Sequence, residues 1–147
     1  MNEIKGKQTE RAAFRALKRQ LGDAGLSVGP LDLHGRGSDF SVGGPAAHNR
    51  RARCLVQMKA SAPASGRGVE FKGTKTFAVY RKLGVDVILL ALKFFSSWEF
   101  YLFDVRGRTP APLATAGSAI RTGVKRFRRE HSGYLCDPAT FFRGVLR

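Results

Sequence analysis

The chain predicts an α/β domain with a mixed central β-sheet flanked by helices, and three observations carry that prediction. Apolar residues recur at helical spacing near the N-terminus, apolar runs of strand length follow at residues 54–60 and 85–94, and a second helical pattern closes the chain. At 147 residues there is room for one compact domain with a real core and not for two comfortable ones.

Taken in order, residues 7–21 place Ala13, Phe14, Leu17 and Leu21 on one helical face and Arg11, Arg15, Lys18 and Arg19 on the others, with Gly22 and Gly25 as stop signals. Leu26, Ser27 and Val28 predict a short extended piece before the Pro30 turn. A glycine-rich turn over residues 35–39 then feeds a short strand at Phe40, Ser41 and Val42, with Asp39 at its mouth. Residues 43–53 predict a basic hairpin tip carrying His48, Asn49, Arg50, Arg51 and Arg53, and residues 54–60 the second strand.

Residues 61–68, SAPASGRG, are a turn by composition. Glu70, Phe71 and Lys72 lie between Gly68 and Gly73 with no apolar strand around them, which predicts a short hairpin or loop. Residues 76–83 predict a helix with Gly84 as its stop, residues 85–94 a buried strand, and Ser96-Ser97 a turn into a strand at 98–105. Residues 107–117 are rich in Pro, Ala, Gly and Thr, residues 120–131 are strongly basic, and residues 134–146 predict a last amphipathic helix begun near Asp137-Pro138. The organisation expected is one domain over residues 1–147 with a basic C-terminal extension from about 107 to 147.

The formal charge of +15, from 26 Lys and Arg against 11 Asp and Glu, exceeds what surface solubility needs and predicts attraction to a polyanion, nucleic acid first. No apolar stretch approaches the roughly 20 residues that span a bilayer, and MNEIKGKQTE has no apolar core of a secretory signal, so a cytoplasmic protein without a membrane role is expected. Cys54 and Cys136 lack the spacing of a zinc knuckle and read as reduced, structural thiols. The scattered His34, His48 and His131 do not suggest a histidine-based zinc or triad site.

The segment Leu55-Val56-Gln57-Met58-Lys59-Ala60-Ser61 puts an amide and an ammonium on one face of a strand whose other face is apolar. Glu10 lies three, four and seven residues before Ala13, Phe14 and Leu17 and so shares their inward face. A buried acid is costly without a partner. Phosphodiester hydrolysis needs hard oxygen ligands for a magnesium ion, a group that activates water, and a cation near the scissile phosphate. Glu10, Asp39 and the Gln57 carbonyl are candidate metal ligands, and Lys59 is the candidate cation. Glu70 matches an E-x-K pattern more literally and is an alternative auxiliary acid.

An acid in the first helix, then Ser38-Asp39-Phe40, then Val56-Gln57-Met58-Lys59 resembles the PD-(D/E)xK nuclease superfamily over about the first hundred residues. That resemblance implies a restriction-endonuclease-like core and a magnesium-dependent DNA endonuclease, with manganese as the alternative ion. It assigns the helix glutamate to Glu10, the first-motif aspartate to Asp39, the second acid to Gln57 and the catalytic lysine to Lys59. Ser38 replaces the usual proline. Gln57 is the departure that matters, because an amide can donate an oxygen to a metal but no charge.

The Gln57-x-Lys59-x-Ser61 form is similar to bacterial group I intron homing endonucleases, and LGVDVILLALKFFSSWEFYLF resembles strands of archaeal Holliday junction resolvases. Homing or restriction-type cleavage, junction resolution and a noncatalytic nucleic-acid-binding protein of the same fold are therefore the competing expectations. Cutting two strands calls for two sites, so a homodimer or higher homo-oligomer is expected. Phosphate contacts are expected from Arg50, Arg51, Arg53, Lys72 and Lys75 near the site and from Arg121, Lys125, Arg126, Arg128 and Arg129, with Val124 and Phe127 as anchors to the core.

Overall fold

The computed structural model describes residues 2–33, 37–44, 53–63, 68–72, 74–106 and 119–146. Its elements are α1 (Asn2–Asp23), β1 (Ser27–Val28), β2 (Phe40–Gly43), β3 (Cys54–Ser61), β4 (Val69–Lys72), α2 (Phe77–Lys82), β5 (Val87–Phe94), β6 (Ser97–Asp104), β7 (Ala119–Thr122), α3 (Val124–Glu130), a short 3-10 turn (Ser132–Tyr134) and α4 (Pro138–Val145). The main sheet has the order β1-β2-β3-β5-β6, antiparallel except for the parallel β3–β5 pair. That parallel pair needs a crossover, and β4 and α2 supply it.

β5 is an interior strand buried on both faces, which is why it reads as a continuous apolar run rather than an alternating one. Val87, Leu89 and Ala91 face a core built with Leu17 and Leu21 of α1 and Phe142 of α4. Ile88, Leu90 and Leu92 face a second core with Tyr80 of α2, Phe71 of β4 and Phe127 of α3. The layers are thus α1 and α4, the sheet, and then α2, α3 and the β4–β7 ribbon.

Local chemistry explains the boundaries. Thr76 caps α2 by accepting from the Val79 N–H at 3.4 Å, and Gly84 stops it at φ 80°. Asp137 caps α4 by accepting from the Thr140 N–H at 3.0 Å, with Pro138 in the first turn. Arg143 of α4 donates to the Ala24 carbonyl at 2.8 Å and so ties the last helix to the end of the first.

Three expectations are corrected. α1 begins at Asn2, earlier than residue 7, because residues 2–6 contain no proline and the single Gly6 costs only about 1 kcal/mol against a helix that the buried face further on already stabilises. Glu70-Phe71-Lys72 is strand rather than loop, since β4 pairs antiparallel with β7 in a two-stranded ribbon whose Val69 and Phe71 enter the second core. Phe95 and Ser96, not Ser96 and Ser97, form the β5–β6 turn. The basic stretch 120–131 is β7 followed by α3, and it and α4 send Phe127 into the second core and Phe142 into the first, both fully buried.

Residues 107–118, and residues 45–52 of the expected basic hairpin tip, lie outside the described residues. Both cysteines are free thiols, and His131 is buried, its Nδ1 3.0 Å from the Phe127 carbonyl. Among the described residues no helix is long and apolar enough to cross a membrane.

Candidate active site

β2 pairs with β3 only from Val56 back to Cys54, so beyond Val56 the β2-side edge of β3 carries no strand among the described residues. Asp39, immediately before β2, covers that open edge. Its N–H donates to the Val56 carbonyl at 2.7 Å, and its Oδ2 accepts from the Met58 N–H at 2.8 Å. The carboxylate is thereby oriented by the backbone between Gln57 and Lys59. This is the junction where groups on opposite faces of the sheet can meet.

Val56 and Met58 face α1 in the first core, whereas the β3–β5 register sets Gln57 beside Ile88 and Lys59 beside Leu90, residues of the second core. The polar pair therefore lies on the other face from α1, as the period-two pattern predicts. Gln57 is 8% exposed, and Lys59 is half-buried. Glu10 is half-buried on α1 and acts electrostatically on both Asp39 and Lys59.

The charges are out of their ordinary ranges. Burial pushes the Asp39 carboxyl up to about 7; the Met58 N–H and Lys59 oppose that rise, while Glu10 and Asp32 add to it. Burial also raises Glu10, against the pull of Lys59 and Lys7. No direct ion pair joins Lys59 to either acid among the described residues. Buried Asp39 and half-buried Glu10 both resist ionisation, so a cation placed near them would favour their charged forms.

The donor types suit a magnesium-like ion by their chemistry. Among the described residues no three His, Cys, Asp or Glu side chains cluster as a metal site. Magnesium, however, is ordinarily held by one or two carboxylates together with water and substrate phosphates. Glu10 and Asp39, with the Gln57 amide oxygen, match that requirement.

Two neighbours were not anticipated. Asp32 sits close enough to raise Asp39, and its N–H donates to the Asp39 carbonyl at 2.7 Å. The buried Tyr80 hydroxyl accepts from the Lys75 N–H at 3.0 Å, and burial, with a smaller effect of Asp39, raises its pKa. An acid seven residues before Asp39 was a weak sequence signal for the first; nothing short of the fold brings Tyr80 there.

The expected phosphate contacts separate into committed and available cations. Arg53 is a strut: it donates to Ser41 Oγ at 2.9 Å, Ser27 Oγ at 2.9 Å and the Ser41 carbonyl at 3.3 Å. Arg128 holds Glu99 through two bonds at 3.0 and 2.6 Å. Arg126 pairs with Glu130 and Arg121 with Glu70, both at the surface. Lys75, Lys125 and Arg129 are exposed. Arg50, Arg51 and the Lys72 side chain lie outside the described residues.

No family model and no curated protein matches the chain. Among solved structures it is similar to a bacterial homing endonuclease, I-Ssp6803I, at 18% identity and a TM-score of 0.51, covering 92% of this chain and 87% of that one. Hjc, a Holliday junction resolvase from the archaeal hyperthermophile Archaeoglobus fulgidus, gives 15% identity and a TM-score of 0.47 over 86% of this chain and 97% of that one. The order and pairing of the main sheet, its flanking helices and the likeness to the homing endonuclease together make this a restriction-endonuclease-like fold, the one the PD-(D/E)xK resemblance implied.

Proposed function

We propose that the protein is a divalent-metal-dependent DNA endonuclease that hydrolyses phosphodiester bonds. The observation that carries the reading is the mutual electrostatic influence of half-buried Glu10, buried Asp39 and Lys59, with Asp39 fixed at the open edge of β3 by the Met58 N–H. The net charge of +15 supplies the general attraction to a polyanion. Glu10, Asp39 and the Gln57 amide oxygen would hold magnesium, or manganese. The ion's chemistry there is Lewis-acid neutralisation of phosphate charge and acidification of water.

The chain's own groups do the rest. The Met58 N–H fixes the Asp39 carboxylate, which releases its proton as cationic charge arrives. Lys59 acts electrostatically on both acids and would offset the charge that develops on the phosphate. Cleavage of both strands is served by a homodimer or higher homo-oligomer acting in the cytoplasm.

Gln57 favours a second reading. A neutral amide where the resemblance places an acid weakens metal binding, so a noncatalytic nucleic-acid-binding protein of this fold is the rival. Cleavage of supercoiled plasmid, random-sequence linear duplex and a synthetic four-way junction, in magnesium and in manganese, tests both. Metal-dependent cutting by wild type that Lys59→Ala abolishes supports the nuclease, and the preferred substrate separates a duplex cutter from a junction resolvase. Equal inertness of the two proteins on every substrate, with tight salt-sensitive binding retained, leaves two options: a specific target not among these substrates, or the noncatalytic rival.

A further inference from the structure

The β5–β6 hairpin exposes a side chain that folding alone disfavours. Phe94 pairs with Ser97, leaving Phe95 and Ser96 as the two turn residues. Phe95 takes φ 56°, the only positive value at a non-glycine among the described residues. A two-residue turn with positive φ at its first central position ordinarily places glycine there, and a bulky residue in that region is strained. The same side chain is 87% exposed. Strain and exposed apolar surface thus coincide in one residue, and neither stabilises the fold.

The ring is nonetheless held in place. Phe95 meets Phe94 edge-on, with centroids 4.6 Å apart and planes at 79°. The Arg128 guanidinium lies 4.0 Å from the centre of the Phe94 ring, and Glu99 fixes that guanidinium through its paired bonds. On the other face Lys93 Nζ stands 5.9 Å from the Trp98 ring. Glu99 is already neutralised by Arg128, so exposed Lys93 leaves the tip cationic.

We infer that this tip is a nucleic-acid contact in which Phe95 stacks on a base of the DNA held at Lys59. The inference rests on the nucleic-acid reading above and gives the chain a second point of engagement. Exposed aromatic rings beside cations suit bases and phosphates together, and inserted Phe side chains exploit steps that are already unstacked. The β3–β5 register sets Lys59 beside Leu90, five residues before Phe95. At about 3.3 Å per strand residue the tip lies roughly 16 Å further along, about five nucleotides of one strand.

The test is fluorescence anisotropy in EDTA with labelled duplexes that differ only in one central unpaired base. Phe95→Gly suits the turn, so it should fold with an unchanged or higher melting temperature, yet bind the unpaired-base duplex roughly 5- to 100-fold more weakly. Phe95→Trp should restore binding. Equal affinity of wild type and Phe95→Gly, with metal-dependent cleavage intact, overturns the inference and leaves the nuclease reading standing. No binding by wild type to any of these duplexes overturns both. Loss of self-association in sedimentation velocity, or of binding to phosphatidylserine vesicles, with nucleic-acid affinity unchanged, assigns the ring to a second copy or a lipid surface and overturns it as well.

Discussion

Replacing Asp39 by Asn should stabilise the metal-free protein above pH 7 while removing its stabilisation by magnesium. Asp39 is 4% exposed, and its pKa rises from 3.8 to about 7 on folding. Between those values the folded state binds the proton that the unfolded state has released, so stability falls as pH rises through this window. The cost is absent below pH 4 and complete above pH 7. A shift of about three units corresponds to a ceiling of about 4 kcal/mol at 1.36 kcal/mol per unit. Asn avoids that cost and keeps an oxygen to accept from the Met58 N–H. Allowing for relaxation of the charged site, a gain of about 1–3 kcal/mol at pH 8, or at least about 3 °C in melting temperature, is expected. Thermal unfolding followed by circular dichroism at pH 5, 6.5 and 8, with EDTA or magnesium, measures it. Magnesium at ten times its Kd should stabilise wild type by about 1.4 kcal/mol and the variant hardly at all. A variant no more stable than wild type at pH 8, or one whose gain is the same at pH 5, refutes the reasoning.

Glu99→Ala should cost about 1–3 kcal/mol in urea unfolding with an unchanged m-value, because it strips Arg128 of its partner and leaves the buried Tyr101 hydroxyl without its 3.1 Å acceptor. Lys125→Ala and Arg129→Ala should each lower the slope of log K against log salt for duplex binding by about 0.9 where the side chain meets a phosphate, whereas Arg53→Ala should mainly lower stability. Gln57→Glu adds a third acid beside Asp39 and Glu10: it should destabilise the metal-free protein at pH 8 by about 1–3 kcal/mol and tighten magnesium binding, read as a larger thermal shift at equal magnesium. A smaller shift than wild type would show that position 57 does not reach the metal.

The parts of the fold that were legible share a feature: their signal is local. α1 and α4 announce themselves through apolar spacing and caps, and β5 through an apolar run that both cores require. β4 was missed because its apolar positions, Val69 and Phe71, make an alternation too short to outweigh the flanking glycines. Its partner β7 lies about fifty residues away, and the pairing exists only once both enter the second core. The misplaced β5–β6 turn has the opposite cause, since turn chemistry favours Ser96-Ser97 and the structure puts Phe95 where glycine belongs.

The same division runs through the site. The order Glu10, Asp39, Gln57, Lys59 was readable because each residue sits at a recognisable place on a local element, and the period of β3 alone set Gln57 and Lys59 against Met58. What those groups do to one another was not readable, since it depends on where β2 stops pairing. Because it stops at Phe40, Asp39 takes over the Met58 N–H, and Glu10 and Lys59 act on its carboxyl electrostatically. The cations divide on the same principle. Arg53 and Arg128 look like phosphate ligands by composition, but Ser27, Ser41 and Glu99 reach them from elements remote in sequence. A net charge of +15 therefore overstates the number of cations free to meet a polyanion, and the salt slope should be shallower than the count of basic residues implies.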